Sequence, residues 1–323
     1  MGPGPTEEVR QLSVPPPSPR PPLAAALAAG PLVLDGGLSN QLAADGHDLS
    51  DRLWSARLLA DRPEAIVRAH AAYFAAGAQV AITSSYQATF EGFARRGLDR
   101  AESAALLRRS VELADRARDE AAQNEAAGQS PRWVAASVGP YGAMLADGSE
   151  YRGDYGLSVA ELERFHRPRM EVLAEAGADV LALETVPDVR EAEALLHALD
   201  GLGVPAWLSY SVDGERTRAG QPLAEAFALA AGVDSVIAVG VNCCAPQDVE
   251  QAVAVAAATT GRPVVAYPNS GESWNARTRS WEGASRFDPR QVEAWTSAGA
   301  RLVGGCCRVG PEAIAELAAA LHR

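Results

Sequence analysis

No apolar run in the chain reaches the roughly 18 residues that a membrane helix needs. The one Ala-rich patch, Leu23 to Ala29, is far too short to serve as one. Positive charge is also in short supply. Lys and Arg number 29 against 41 acidic residues, a formal net charge of −12, which argues against a nucleic-acid partner because phosphate binding needs clustered cations. The five histidines, His47, His70, His166, His197 and His322, fall mostly in helical or surface segments and read as packed or solvated. Cysteine is scarce as well: four in 323 residues are too few for a disulfide scaffold. Residues 2–22 are rich in proline and poor in large apolar side chains, so they bury too little surface to offset the entropy of ordering them. Residues 1–22 are therefore expected to form a flexible tail and residues 23–323 a single domain. That tail lacks the basic start, long apolar centre and cleavage site of a secretory signal. The expectation is a soluble, cytoplasmic chain with no membrane or nucleic-acid partner.

What is present is alternation. Eight short β-rich runs, Leu32 to Asp35, Gln79 to Thr83, Trp133 to Val138, Val180 to Glu184, Ala206 to Tyr210, Val236 to Val241, Val264 to Tyr267 and Leu302 to Gly304, are separated by Ala- and Leu-rich stretches of helical period. Most of the runs are continuously apolar, as strands buried on both faces are. Several helix signals sit between them. Pro63 can open a helix that sets Ile66, Val67, Tyr73 and Phe74 on one face. Ser158 with Glu161, and Asp188 with Glu191, have the spacing of capping boxes. The tripeptide Ala-Gly-Ala recurs at residues 76–78, 176–178 and 298–300, each time just before a strand, where glycine can end a helix. Eight βα units predict an α/β fold of the (β/α)8 TIM-barrel type, whose chemistry lies at the C-terminal ends of the strands. Asp35, Tyr86, Glu184, Asn242 with Cys243, and Cys306 with Cys307 all fall there.

The cysteines form two vicinal pairs, Cys243-Cys244 and Cys306-Cys307. A bridge within such a pair would be strained, and a structural zinc site normally shows four ligands with Cys-x-x-Cys spacing, which is absent. Three thiolates instead suit a catalytic zinc site with one open position. Neighbouring residues of a regular strand point to opposite faces, so Cys306 and Cys307 can share one ion only if the backbone leaves strand geometry; the adjoining Gly304-Gly305 eases that departure. Cys244 stands as an alternative to Cys243, and plain packing is the alternative for each cysteine.

At these residues the sequence resembles the homocysteine S-methyltransferase family. Gly240-Val241-Asn242-Cys243 and Gly304-Gly305-Cys306-Cys307-Arg308 are similar to its zinc signatures. Asp35-Gly36-Gly37-Leu38-Ser39, Thr83-Ser84-Ser85-Tyr86-Gln87-Ala88 and Glu184-Thr185 resemble its first, second and fourth strand ends. Two further stretches, Gly139 to Tyr155 and Tyr267 to Glu272, are similar to bacterial members that use S-methylmethionine. The resemblance implies Cys243, Cys306 and Cys307 as ligands of Zn2+. It implies Asp35 and Glu184 for the homocysteine ammonium, amides near Gly36 and Gly37 for its carboxylate, and Tyr86 near the open metal position, with Asn242 completing the substrate-binding set. The implied reaction moves a methyl group from a methyl-sulfonium donor, S-methylmethionine or S-adenosylmethionine, to L-homocysteine, giving methionine. Trp274 and Tyr141 are candidate aromatic contacts for the donor cation, with loop packing as the alternative for each. Other readings are a betaine-homocysteine or selenocysteine-type enzyme of the same family, a redox dithiol protein, and a non-catalytic zinc-stabilised barrel that serves as a binding module.

Overall fold

The computed structural model describes residues 20–49, 55–123, 130–275 and 280–322. Eight parallel strands follow one another around a ring: β1 (Leu32–Val33), β2 (Val80–Ile82), β3 (Trp133–Val138), β4 (Val180–Val186), β5 (Ala206–Tyr210), β6 (Val236–Asn242), β7 (Val264–Tyr267) and β8 (Ala300–Val303). Each pairs with its sequence neighbour from β2 through β8, and β8 pairs with β1. A parallel bridge between Leu34 and Val80 joins β1 to β2 and closes the barrel. All eight expected runs are strands, with ends shifted by a few residues. Among the described residues no helix is long and apolar enough to cross a membrane.

Alternation along the strands divides the core in two. Inside the barrel lie Leu32, Leu34, Val80, Trp133, Ala135, Val180, Ala182, Trp207, Ala238, Val265, Tyr267 and Leu302. Between sheet and helices lie the alternate residues, such as Leu181, Leu183, Leu208, Val239 and Val241. The helix Leu23–Ala29 plugs the inner core with Leu23 and Leu27. Residues 1–19 of the expected tail lie outside the described residues. Its last part is tied to the barrel: the Trp133 indole donates to the Pro21 carbonyl (2.9 Å), and Arg20 pairs with Asp179.

Helix boundaries follow local chemistry, with one exception. Pro63 starts the helix Pro63–Ala75, whose buried face includes Ile66, Val67, Tyr73 and Phe74. Ser158 and Glu161 form the expected reciprocal cap. Gly77, Gly177 and Gly299, at φ of 97°, 88° and 124°, take the positive-φ backbone that follows each helix end. At the second expected capping box, Asp188 accepts from the Arg190 amide (2.9 Å), but Glu191 turns away. It is wholly buried, where its Oε1 accepts from the Tyr141 amide (2.5 Å) and meets His166 Nε2 (2.9 Å), while the other ring nitrogen, Nδ1, meets Arg169. A tertiary charge network outcompeted a local cap.

Gly240 shows how closely the strands constrain sequence. A Cβ there would lie 1.8 Å from the Val265 carbonyl oxygen of the adjoining strand, a backbone atom that cannot rotate aside. Gly240→Ala is expected to destabilise the fold by about 1–3 kcal/mol through overpacking, measured by urea unfolding against the parent protein.

Candidate metal centre and substrate site

The inner face of the barrel changes from apolar to polar toward its C-terminal end. In β4 the inward positions Val180 and Ala182 are followed by Glu184; Ser137 of β3, Ser209 of β5, Asn242 of β6 and Tyr267 of β7 occupy the same upper layer by the same alternation. They bond to one another. Glu184 Oε1 accepts from Ser137 Oγ and its Oε2 from the Tyr267 hydroxyl (2.9 Å). The Ser209 hydroxyl donates to Asn242 Oδ1 (2.8 Å) and meets the Tyr267 hydroxyl at 2.9 Å. Burial pushes the Glu184 carboxyl up to about 7, against the pull of those hydrogen bonds.

The cysteines are assembled just above this layer. Cys243 follows β6 with a left-handed φ of 49°, a conformation that costs a non-glycine residue roughly 1–3 kcal/mol and tends to mark functional sites. β8 ends at Val303, and the chain departs from strand geometry before Cys306 and Cys307, as two cysteines on one ion require. The loop after β7 brackets both segments. The Cys306 amide donates to the Pro268 carbonyl (2.8 Å), the Cys307 amide to Asn269 Oδ1 (3.1 Å), and the Asn269 amide to the Cys244 carbonyl (2.9 Å). As a result the sulfurs of Cys243, Cys306 and Cys307 all lie within 4.8 Å of one another, with Cys243 and Cys307 4.0 Å apart. A tetrahedral ion with metal–sulfur bonds of about 2.3 Å holds its sulfurs roughly 3.8 Å apart, so the three thiols fit such an ion. They are also unbridged. Contact with Cys243 and Cys307, followed by burial, pushes the Cys306 thiol well up, whereas contact with Cys243 and Cys306 holds Cys307 low. Cys244 is not part of the cluster. It is fully buried in the apolar layer between sheet and helices, where burial raises its thiol.

The remaining expected residues separate into those the fold brings to the thiols and those it uses elsewhere. Asp35 follows β1 and is 1% exposed; its Oδ2 accepts from the Ile82 amide (2.8 Å), while its Oδ1 is buried without a partner. Burial drives its carboxyl well up, with Glu184 adding to the rise. Gly36 and Gly37 pass so close to the Val309 and Cys306 carbonyls that a Cβ at either would lie within 2.6 Å of an oxygen. The Gly37 amide donates to the Val309 carbonyl (2.9 Å), so it is already engaged within the protein. Tyr86 is half-buried beside Thr185, and burial raises its hydroxyl. Asn242, expected among the substrate contacts, serves as a clamp within the protein. Wholly buried, its Oδ1 accepts from the Thr185 amide (2.7 Å) and its Nδ2 donates to Thr185 Oγ1 (2.7 Å). That pair of bonds holds Thr185 at a φ of 59° immediately after Glu184.

Two residues that sequence reasoning did not single out lie at the centre. Both belong to the short turn Ser149–Tyr151 beyond β3. The Tyr151 hydroxyl lies against the sulfurs of Cys243 and Cys307, and Glu150 is 5% exposed with its Oε2 unpartnered. Burial pushes the Glu150 carboxyl up to about 7. The only signal in the sequence was their place within the Gly139 to Tyr155 segment. Tyr141 packs that segment: its ring stands 5.2 Å from Tyr155 and 4.9 Å from Phe165. The Trp274 side chain lies outside the described residues.

Comparison with known proteins agrees with this geometry. Residues 32–321 match the homocysteine S-methyltransferase family. The chain is 48% identical over 294 residues to the homocysteine S-methyltransferase of Escherichia coli (strain K12), covering 89% of this chain and 94% of that protein. It is 46% identical over 294 residues to the homocysteine S-methyltransferase YbgG of Bacillus subtilis (strain 168), covering 89% and 93%. The crystal structure of the homocysteine methyltransferase MmuM from Escherichia coli in its metallated form superposes with a TM-score of 0.83 at 46% identity, over 93% of this chain and 99% of that one. A (β/α)8 barrel that gathers three thiols at its C-terminal mouth, matched over nearly its whole length by these proteins, belongs to the homocysteine S-methyltransferase family.

Proposed function

We propose that this protein transfers a methyl group from S-methylmethionine to the thiol of L-homocysteine, using a zinc ion held by Cys243, Cys306 and Cys307. One observation carries the reading: three sulfurs within 4.8 Å at the barrel mouth. Three protein donors where tetrahedral zinc takes four leave one position for substrate, whereas a purely structural zinc would take a fourth protein ligand. When bound there, zinc would keep the homocysteine sulfur deprotonated at neutral pH, where a free thiol of pKa about 8.5 is mostly protonated.

The chain's own residues orient the reactants. Asp35, through its unpartnered Oδ1, and Glu184 pair with the homocysteine ammonium. The carboxylate is received near the Gly36 amide, since that of Gly37 already serves Val309. Tyr86 and Tyr151 flank the thiols and narrow the approach of the donor. The homocysteine sulfur forms a bond to the methyl carbon as the donor's S–CH3 bond breaks, and the bonding pair stays on the donor sulfur. The donor loses its positive charge, the proton of the homocysteine thiol passes to solvent, and both products are methionine. The choice of donor rests on the segment Gly139 to Tyr155, which supplies Glu150 and Tyr151 to the site.

Three outcomes are expected. Cys306→Ala should abolish both bound zinc and methyl transfer, whereas Cys244→Ala should keep both; zinc retained in Cys306→Ala, measured by elemental analysis, would refute the ligand assignment. Asp35→Asn should keep its zinc and raise KM for homocysteine by about 10- to 100-fold, the worth of a charged hydrogen bond; an unchanged KM would remove Asp35 from the ammonium site. In parallel rate measurements with homocysteine as acceptor, S-methylmethionine should outperform S-adenosylmethionine and betaine. Turnover with betaine alone would overturn the donor and leave the thiol centre standing.

A further inference from the structure

The buried carboxylates at the mouth of the barrel are unequally satisfied. Glu184 has both oxygens bonded to hydroxyls, and Asp35 has one oxygen bonded to the Ile82 amide. Glu150 stands apart from that pair. It comes from the turn after β3, not from a strand end; it is 5% exposed, and its Oε2 has no partner. A buried carboxylate without a counter-charge is costly, and such groups are normally paired. Neighbouring charges do not supply the pairing: Arg152, the cation that acts on Glu150, is exposed, and nearby Asp147 is itself acidic.

The position of this carboxyl is also specific. The next residue, Tyr151, lies against the sulfurs of Cys243 and Cys307, and the charge of Glu150 is felt by both Tyr86 and Cys307. The turn is therefore seated at the thiol cluster, where a methyl group must arrive. The reaction brings two charged molecules together there. Homocysteine carries one ammonium, for which Asp35 and Glu184 suffice; the donor adds a sulfonium and, in S-methylmethionine, a second ammonium.

We propose that Glu150 is the counter-ion of the methyl donor, its carboxylate facing the donor's positive charge while Asp35 and Glu184 hold homocysteine. This deepens the sulfonium-donor reading given above and rests on it. The role makes the site selective for cationic donors. A fixed negative charge beside the thiols attracts a positively charged methyl carrier and gives a neutral one nothing in return. It also separates the two amino-acid substrates, which share an ammonium and a carboxylate, by giving each its own acidic partner.

The test is steady-state kinetics on metal-loaded Glu150→Gln and Glu150→Asp. Glu150→Gln keeps the shape of the side chain and removes its charge. It is expected to raise KM for S-methylmethionine about 10- to 100-fold, as for a lost charged hydrogen bond, while KM for homocysteine and bound metal stay at parental values. Glu150→Asp should recover part of the loss. An unchanged donor KM, or equal rises for donor and homocysteine, would overturn the proposal, the second result marking a merely structural turn. Dimethylsulfoniopropionate, a sulfonium without an ammonium, competing against S-methylmethionine locates the charge. Weaker competition in Glu150→Gln puts the sulfonium against the carboxylate, and unchanged competition alongside the KM rise puts the ammonium there. If the parental protein uses betaine and no sulfonium, the donor reading fails; the same variants assayed with betaine, itself a cation, then decide the role of Glu150.

Discussion

Closing a parallel sheet on itself leaves each strand two kinds of position, one facing the barrel interior and one facing the helices, and everything at the site depends on that alternation. Because Val180 and Ala182 face inward, Glu184 does so one step further, at the level where the apolar filling gives way to hydroxyls and an amide. Ser137, Ser209, Asn242 and Tyr267 reach that level from four other strands by the same count. No single segment contains the site. It is a cross-section of the barrel, and the hydrogen bonds among these side chains join strands that are far apart in the chain.

Above that layer the backbone must abandon regular geometry to bring donors together. Thr185, Cys243 and Arg308 all have positive φ, at 59°, 49° and 63°, and each is held by neighbours that make the conformation tolerable. Asn242 clamps Thr185 with two bonds. The Cys243 amide is held by the Tyr267 carbonyl (3.2 Å) and its own carbonyl by Ser211 (3.2 Å). The Arg308 amide donates to Asn40 Oδ1 (2.7 Å), and its guanidinium pairs with Glu272 (2.6 Å), which ties the β8 loop to the β7 loop. A more remote network, with Glu191, His166 and Arg169 fully buried, fixes the backbone at Gly139 and Tyr141, where the segment bearing Glu150 and Tyr151 begins. Strain at the thiols is thus supported by bonds made outside them.

The electrostatic consequence is a pocket with an excess of acidic groups. Asp35, Glu150 and Glu184 are all raised by burial, and the thiols act on one another. Buried in this way, the three carboxyls resist ionisation until a cation joins them. The ion and the reactants proposed above would supply that charge: a divalent metal at the sulfurs and ammonium or sulfonium groups at the carboxylates. Binding and charge compensation are then one event.

The sequence by itself determined the number and order of the strands and placed Asp35, Glu184 and the two cysteine pairs near their C-terminal ends. These are local properties: hydrophobic runs, alternation and glycine placement act over a few residues and survive being read one segment at a time. Only the tertiary structure decided how each polar group uses its hydrogen bonds. Asn242 and the Gly37 amide sit where substrate contacts were expected, and the fold already engages them with Thr185 and Val309, partners 57 and 272 residues away in the chain. Glu191 left its local cap for His166, and Cys244 went to the apolar layer while Cys243 joined the thiols. Glu150 carried no mark of function beyond its place in the Gly139 to Tyr155 segment. A carboxylate left unpartnered in a buried turn can be recognised only when every neighbour is in place, because burial and the absence of a partner are properties of the packed barrel and not of the chain.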